Sequence, residues 1–198
     1  MKRLHIALAI LCTLFAAACL PVTSKTPVGT TTGLGSDTAL YGTWKGYSAE
    51  DHTLVYLHVL RPKNNEAISA VMVGTGTDKD EGTIMLVELR TAALGDNHFM
   101  NVIKFFTKDE NGETANALKD ASIPLLYRFG KNHSLTLYLL DEDKTKEAIT
   151  SGKLQGIVES GNFGDVKITS DAAALDAFMA TPEAAKLFKL FVVLKKAE

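Results

Sequence analysis

Several things are scarce in this 198-residue chain, and each scarcity removes a class of function. The most apolar stretch, residues 4 to 15, is interrupted only by His5 and Thr13. It still falls short of the roughly 20 residues that a membrane-spanning helix needs. There is no basic run, and 21 Lys and Arg stand against 23 Asp and Glu, so a nucleic-acid partner is not expected. No H-E-x-x-H and no histidine pair at metal spacing is present. His52, His58, His98 and His133 are scattered over separate segments, and no metal site or cofactor is expected. The chain has no G-x-S-x-G nucleophile elbow. Gly74-Thr75-Gly76-Thr77 lacks the third glycine and the following helix of a phosphate cradle. The acidic stretches 78 to 82 and 141 to 143 read as solvated turns; the first has glycine where a calcium loop needs a ligand. No catalytic residue emerges from the sequence, and nothing in it points to an enzyme.

What is present begins at the N-terminus, MKRLHIALAILCTLFAAACLPVT. A positive pair (Lys2, Arg3), an apolar stretch and three small residues (Ala16, Ala17, Ala18) form the layout of a signal peptide over residues 1–18. Residues 15 to 19, FAAAC, resemble the lipobox of bacterial lipoproteins, with Ala16 where that family usually has leucine. The resemblance implies that Cys19 is lipidated and becomes the first residue of the mature chain. Cys12 does not fit the pattern, because Leu11 before it is not small. Ordinary cleavage after Ala18 is the alternative, and it would leave a reactive free thiol in an oxidising compartment. With Cys12 removed and Cys19 acylated, the mature chain has no disulfide, so stability has to come from a core. Loss of Lys2 and Arg3 leaves a charge near −4. Leu20 follows the cysteine where aspartate would signal inner-membrane retention, which implies an outer-membrane lipoprotein facing the periplasm. Residues 19–37 are rich in Pro, Thr, Ser and Gly and read as the lipidated cysteine with a flexible tether. Residues 38–198 have the length of one domain.

That domain is a succession of strand-like runs: TWKGYS, TLVYLHVL, AISAVMVG, IMLVELR, HFMNVIKFF, PLLYRFG, SLTLYLL, KLQGIVE and DVKIT, with LFKLFVVLKK as a closing strand. Turn residues separate them, which indicates an all-β sandwich or barrel. In SLTLYLL, Leu135, Leu137 and Leu139 share one face. In HFMNVIKFF, Phe99, Ile103 and Phe105 are assigned to one face and Met100, Val102 and Phe106 to the other, which calls for a helix covering the outside. The segment 171 to 180 supplies one, with Leu175, Phe178 and Met179 at helical spacing and Ser170 or Asp171 as N-cap.

Gly42-Thr43-Trp44 resembles the G-x-W signature on the first strand of lipocalins and related calycins. In that family the tryptophan plugs the closed end of the barrel and an arginine lies across its ring. This chain has no T-D-Y motif, and it carries Lys195 and Lys196 where that arginine belongs; Arg128 is a more distant candidate. The expected fold is therefore all-β with minor α: an antiparallel lipocalin-like barrel of about 8–9 strands, one C-terminal helix and a final strand. An ordinary core tryptophan of another β fold is the alternative for Trp44. The expected function is binding of an apolar small molecule or lipid inside the barrel. In the alternative, the barrel is solid and acts as an envelope interaction module through segments such as 107 to 122. An open apolar cavity favours the first and a filled interior the second.

Overall fold

A computed structural model describes residues 21–48, 53–64, 66–75, 83–108, 114–159 and 166–197. Its strands are β1 (Thr23–Ser24), β2 (Gly42–Ser48), β3 (Leu54–Val59), β4 (Ile68–Thr75), β5 (Thr83–Leu94), β6 (Asn97–Lys108), β7 (Thr114–Asn116), β8 (Ile123–Gly130), β9 (Ser134–Leu140), β10 (Gly156–Val158), β11 (Val166–Ile168) and β12 (Phe188–Lys196). Two α-helices are present among the described residues, α1 (Glu142–Thr150) and α2 (Ala172–Met179).

Eight strands close into an antiparallel barrel in the order β2-β3-β4-β5-β6-β8-β9-β12, with β12 returning to pair with β2. Strand β7 adds to the edge of β6. Each barrel strand pairs with its neighbour along the chain, so the register follows from local turns together with the in–out alternation. Inward side chains such as Leu57, Leu89, Leu125, Leu137 and Leu194 form one buried core. The face assignment expected for β6 changes partway along the strand. Glu88 pairs with Lys104 and Leu89 with Val102, so Ile103 is an extra, bulged residue. The bulge moves Met100, Val102 and Phe105 to the same inner core, while Phe99 faces outward.

On the wall formed by β6, β8 and β9, outward apolar residues are covered, and by more than one helix. Phe99, Leu126 and Leu140 meet Leu175 and Met179 of α2, Ala148 of α1 and Phe188 in a second core outside the barrel wall. Helix α1 corrects the reading of 141 to 143 as a mere acidic turn. Asp141 caps the helix by accepting from Lys144 N at 3.1 Å, and Glu142 and Asp143 sit in its first turn, where the helix dipole favours carboxylates. The KLQGIVE and DVKIT runs do form strands, but β10 and β11 build a separate small sheet with β1 and take no part in the barrel. On α2, Asp171 is the N-cap, and Leu175 and Met179 are fully buried. Phe178 is only partly buried at the margin.

The segment read as a flexible tether is, from Val22 onward, an ordered strap along the barrel wall. Ser24 exchanges backbone hydrogen bonds with Ser122, and Gly35 does so with Thr91. Between them, Asn101 grips both polar groups of Val28: its Oδ1 accepts from Val28 N at 2.8 Å and its Nδ2 donates to Val28 O at 2.9 Å. The buried Asp176 of α2 accepts from Gly29 N at 2.6 Å, and from Thr31 N at 2.8 Å and Thr31 Oγ1 at 2.6 Å. Gly29 is required there. Its φ is +88°, and an added Cβ would lie 2.1 Å from the Ala92 Cβ. The composition that resembled a linker serves turns and partners that become visible only in three dimensions.

Two stability tests follow. Met179→Ala is expected to cost about 2–5 kcal/mol in a urea titration, whereas the marginal Phe178→Ala should cost less. Asp176→Ala leaves the strap's donors without their carboxylate, and a loss of about 2–3 kcal/mol is expected. The same variant should become open to protease cleavage between residues 25 and 36, and resistance equal to the wild type would refute this role for the strap.

Candidate ligand cavity

The two ends of the barrel differ. At the end where β2 begins, the interior is filled. Trp44 is buried and its Nε1 donates to Leu40 O at 2.7 Å. Leu40 belongs to a short 3-10 turn, Thr38–Leu40, which the strap lays across this end. The turn is tied down by Asp37, which caps it through Ala39 N and accepts from Tyr127 Oη at 2.7 Å. Burial first, and the Asp37 hydrogen bond second, push the Tyr127 phenol far above its ordinary range.

The glycines flanking Trp44 have distinct jobs. Gly42 adopts φ +118°, and an added Cβ would stand 3.3 Å from Lys196 Cε. At Gly46 the Cβ would fall 2.0 Å from Val193 O, so only glycine lets β2 approach β12. Lys196, paired with Trp44 across that seam, places Nζ 5.2 Å from the centre of the indole ring. A lysine thus occupies the position over the ring where the G-x-W resemblance implied an arginine, with the attraction of a cation for an aromatic face. Arg128 points elsewhere, into an open surface hollow with Asp96 and His98. Its neighbour Phe129 is the residue that meets Trp44, ring centres 6.1 Å apart.

Toward the other end, where β2 finishes, the interior holds an apolar cavity of about 140 Å³. Met72, Met85, Val87, Met100, Phe105 and Phe191 are among its lining residues, and Pro21 at the start of the strap also borders it. No polar side chain lines this space. A cavity of about 150 Å³ with comparable walls stays dry and admits a benzene-sized molecule. Three of the chain's five methionines line it. Methionine is unbranched and re-packs readily, so such walls adapt to an occupant.

The structure brings together Gly42 and Trp44, but at the plugged end and away from the cavity. Cys19, the residues 1–18, His52 and the acidic stretch 78 to 82 lie outside the described residues, as does 109 to 113 within the segment 107 to 122. His58 faces outward and is bonded to Thr43 Oγ1 through Nδ1 at 3.0 Å. Among the described residues, no group of three His, Cys, Asp or Glu is placed to hold a metal ion. No described helix is long and apolar enough to cross a membrane. Among the cavity residues, the inward direction of Phe105 and Phe191 depends on bulges at Ile103 and between Leu190 and Val192, which sequence reasoning missed. Strict alternation assigns some of them to the wrong face. The chain matches no protein-family model, no curated protein and no solved structure.

Trp44 fluorescence is expected to be blue-shifted and shielded from soluble quenchers. Trp44→Ala should cost about 3–5 kcal/mol, the range for truncating a buried aromatic. A loss within about 1 kcal/mol of wild type, with a quenchable ring, would contradict the plug. Alkaline titration offers a second check. A phenol raised in the folded state contributes stability below its ordinary pKa of 10.0 and loses it as pH rises beyond that value. One of the five tyrosines should therefore stay un-ionised in ultraviolet titration until the barrel unfolds at alkaline pH.

Proposed function

We propose that this chain is a lipid-anchored lipoprotein of the bacterial envelope, sorted to the outer membrane and facing the periplasm, whose barrel binds an apolar small molecule or a lipid acyl chain. The observation that carries the binding half is the division of the interior: a plugged end beside Trp44, and an apolar, methionine-lined cavity at the other. The anchoring half is supported by the FAAAC pattern ending at Cys19. The size of the cavity constrains the ligand. At about 140 Å³ it lies below the roughly 300–1,000 Å³ of most small-molecule sites. It suits one slender apolar group, such as the end of an acyl chain or a single ring. Discrimination would come from shape, since no polar side chain lines the walls to read a headgroup.

A fluorescent polyene fatty acid titrated into soluble Cys19→Ser protein tests the binding half. Saturable binding is expected, and Val87→Phe, which puts a ring into the cavity, should weaken it tenfold or more, about 1.4 kcal/mol or above. Unchanged binding by a folded Val87→Phe protein would exclude the cavity as the site. The anchoring half is tested by fractionation. The wild-type chain should carry an acylated N-terminal cysteine and stay with the membranes, while Cys19→Ser should leave them.

A further inference from the structure

The strap changes what an anchor at Cys19 would do. With residues 20–37 as a free tether, the barrel could stand up to about 60 Å from the bilayer. With the strap folded from Val22 onward, only Leu20 lies between Cys19 and Pro21, and Pro21 lines the cavity. Two residues reach no further than about 7 Å. Resting on the reading of Cys19 as the lipidated residue, we propose that the barrel lies with its cavity end against the leaflet that holds its anchor, and that the occupant of the cavity is an acyl chain taken from that leaflet.

An independent feature of the outer wall points to the same end. Tyr47, 61% exposed, pairs with Leu54 on one side and with exposed Val193 on the other. Ile84, 72% exposed, pairs with Val73, which pairs with Tyr56. Exposed Leu86 pairs with Val71 and Phe106. Directly opposed residues share one face of a sheet. These pairs therefore join into one outward apolar patch over neighbouring strands, mostly in the halves of those strands that approach the cavity end. A patch of this kind marks a contact surface. A bilayer reached by the short leash brings apolar matter to that position. The paired residues named are uncharged, and a cation beside them, Lys45, lies over the Tyr56 ring with Nζ 5.3 Å from its centre. The contact is apolar insertion, and the vesicles for its test are zwitterionic.

The test uses the full lipidated chain bound to phosphatidylcholine vesicles containing brominated acyl chains. Ile84→Cys and, at the plugged end, Lys63→Cys each receive a thiol-reactive fluorophore; Cys19, its sulfur blocked by a thioether to the lipid, does not compete. The Ile84 label is expected to lose most of its emission to the bromines, and the Lys63 label to keep its own. A chain that floats with the vesicles while both labels or neither are quenched overturns the orientation and leaves the anchor standing. A chain that does not float removes the anchor, and the orientation falls with it. Fatty-acid binding by the soluble Cys19→Ser protein reports on the cavity separately. If the Ile84 label is quenched but that protein binds no fatty acid, the docking holds and the acyl occupant is refuted.

Discussion

The seam between β2 and β12, five pairs running from Ser48–Val192 to Trp44–Lys196, turns a row of strands into a barrel. The two strands are more than a hundred residues apart along the chain, so closing the seam carries a large loop entropy. Its geometry is demanding at one place above all. The backbone of β12 at Val193 passes so near Gly46 that no side chain fits between them. Without that approach β2 and β12 would be exposed edges, and the inner faces of all eight strands would open to water. Trp44, Leu40 and Lys196 then act on the same seam, one filling the barrel end and the others bonding to its indole.

The strap is the second consequence of closure. A barrel wall with apolar residues on its outer side needs cover. The segment ahead of β2 combines with α1, α2 and the small β1-β11-β10 sheet to supply it. Its polar backbone is satisfied by two side chains from different elements, Asn101 of β6 and Asp176 of α2, each meeting more than one group. Burial of both side chains is tolerated because their hydrogen-bonding capacity is used. The strap also links the two ends of the barrel, since it starts at Pro21 beside the cavity and finishes at Leu40 under the plug.

Physically, the interior is a graded packing problem. The Trp44 end is filled by large and hydrogen-bonded groups, and the other end is built from apolar side chains that include three methionines. The difference leaves a space lined by methionines in place of a uniformly packed core. An occupant there gains by burying its own apolar surface, and it does not have to displace any hydrogen bond from the walls.

Elements whose cause is local were legible in the amino-acid order. Alternation in SLTLYLL set Leu135, Leu137 and Leu139 inward, turn residues separated the barrel strands, and the helical spacing of Leu175 and Met179 marked α2. The number and spacing of the strand runs indicated a sandwich or a barrel, the G-x-W resemblance chose the barrel, and the structure closes eight antiparallel strands with a helix ahead of the last. Tertiary structure decided the rest, because the reasons lie between residues far apart in the chain. A bulge shows itself only against its partner strand, and so the face of Phe105 could not be read from β6 alone. The ordering of residues 22–37 depends on Asn101 and Asp176, which lie some 70 and 145 positions away. The cavity is a difference of volumes summed over residues from most of the barrel strands, a quantity that no local pattern encodes.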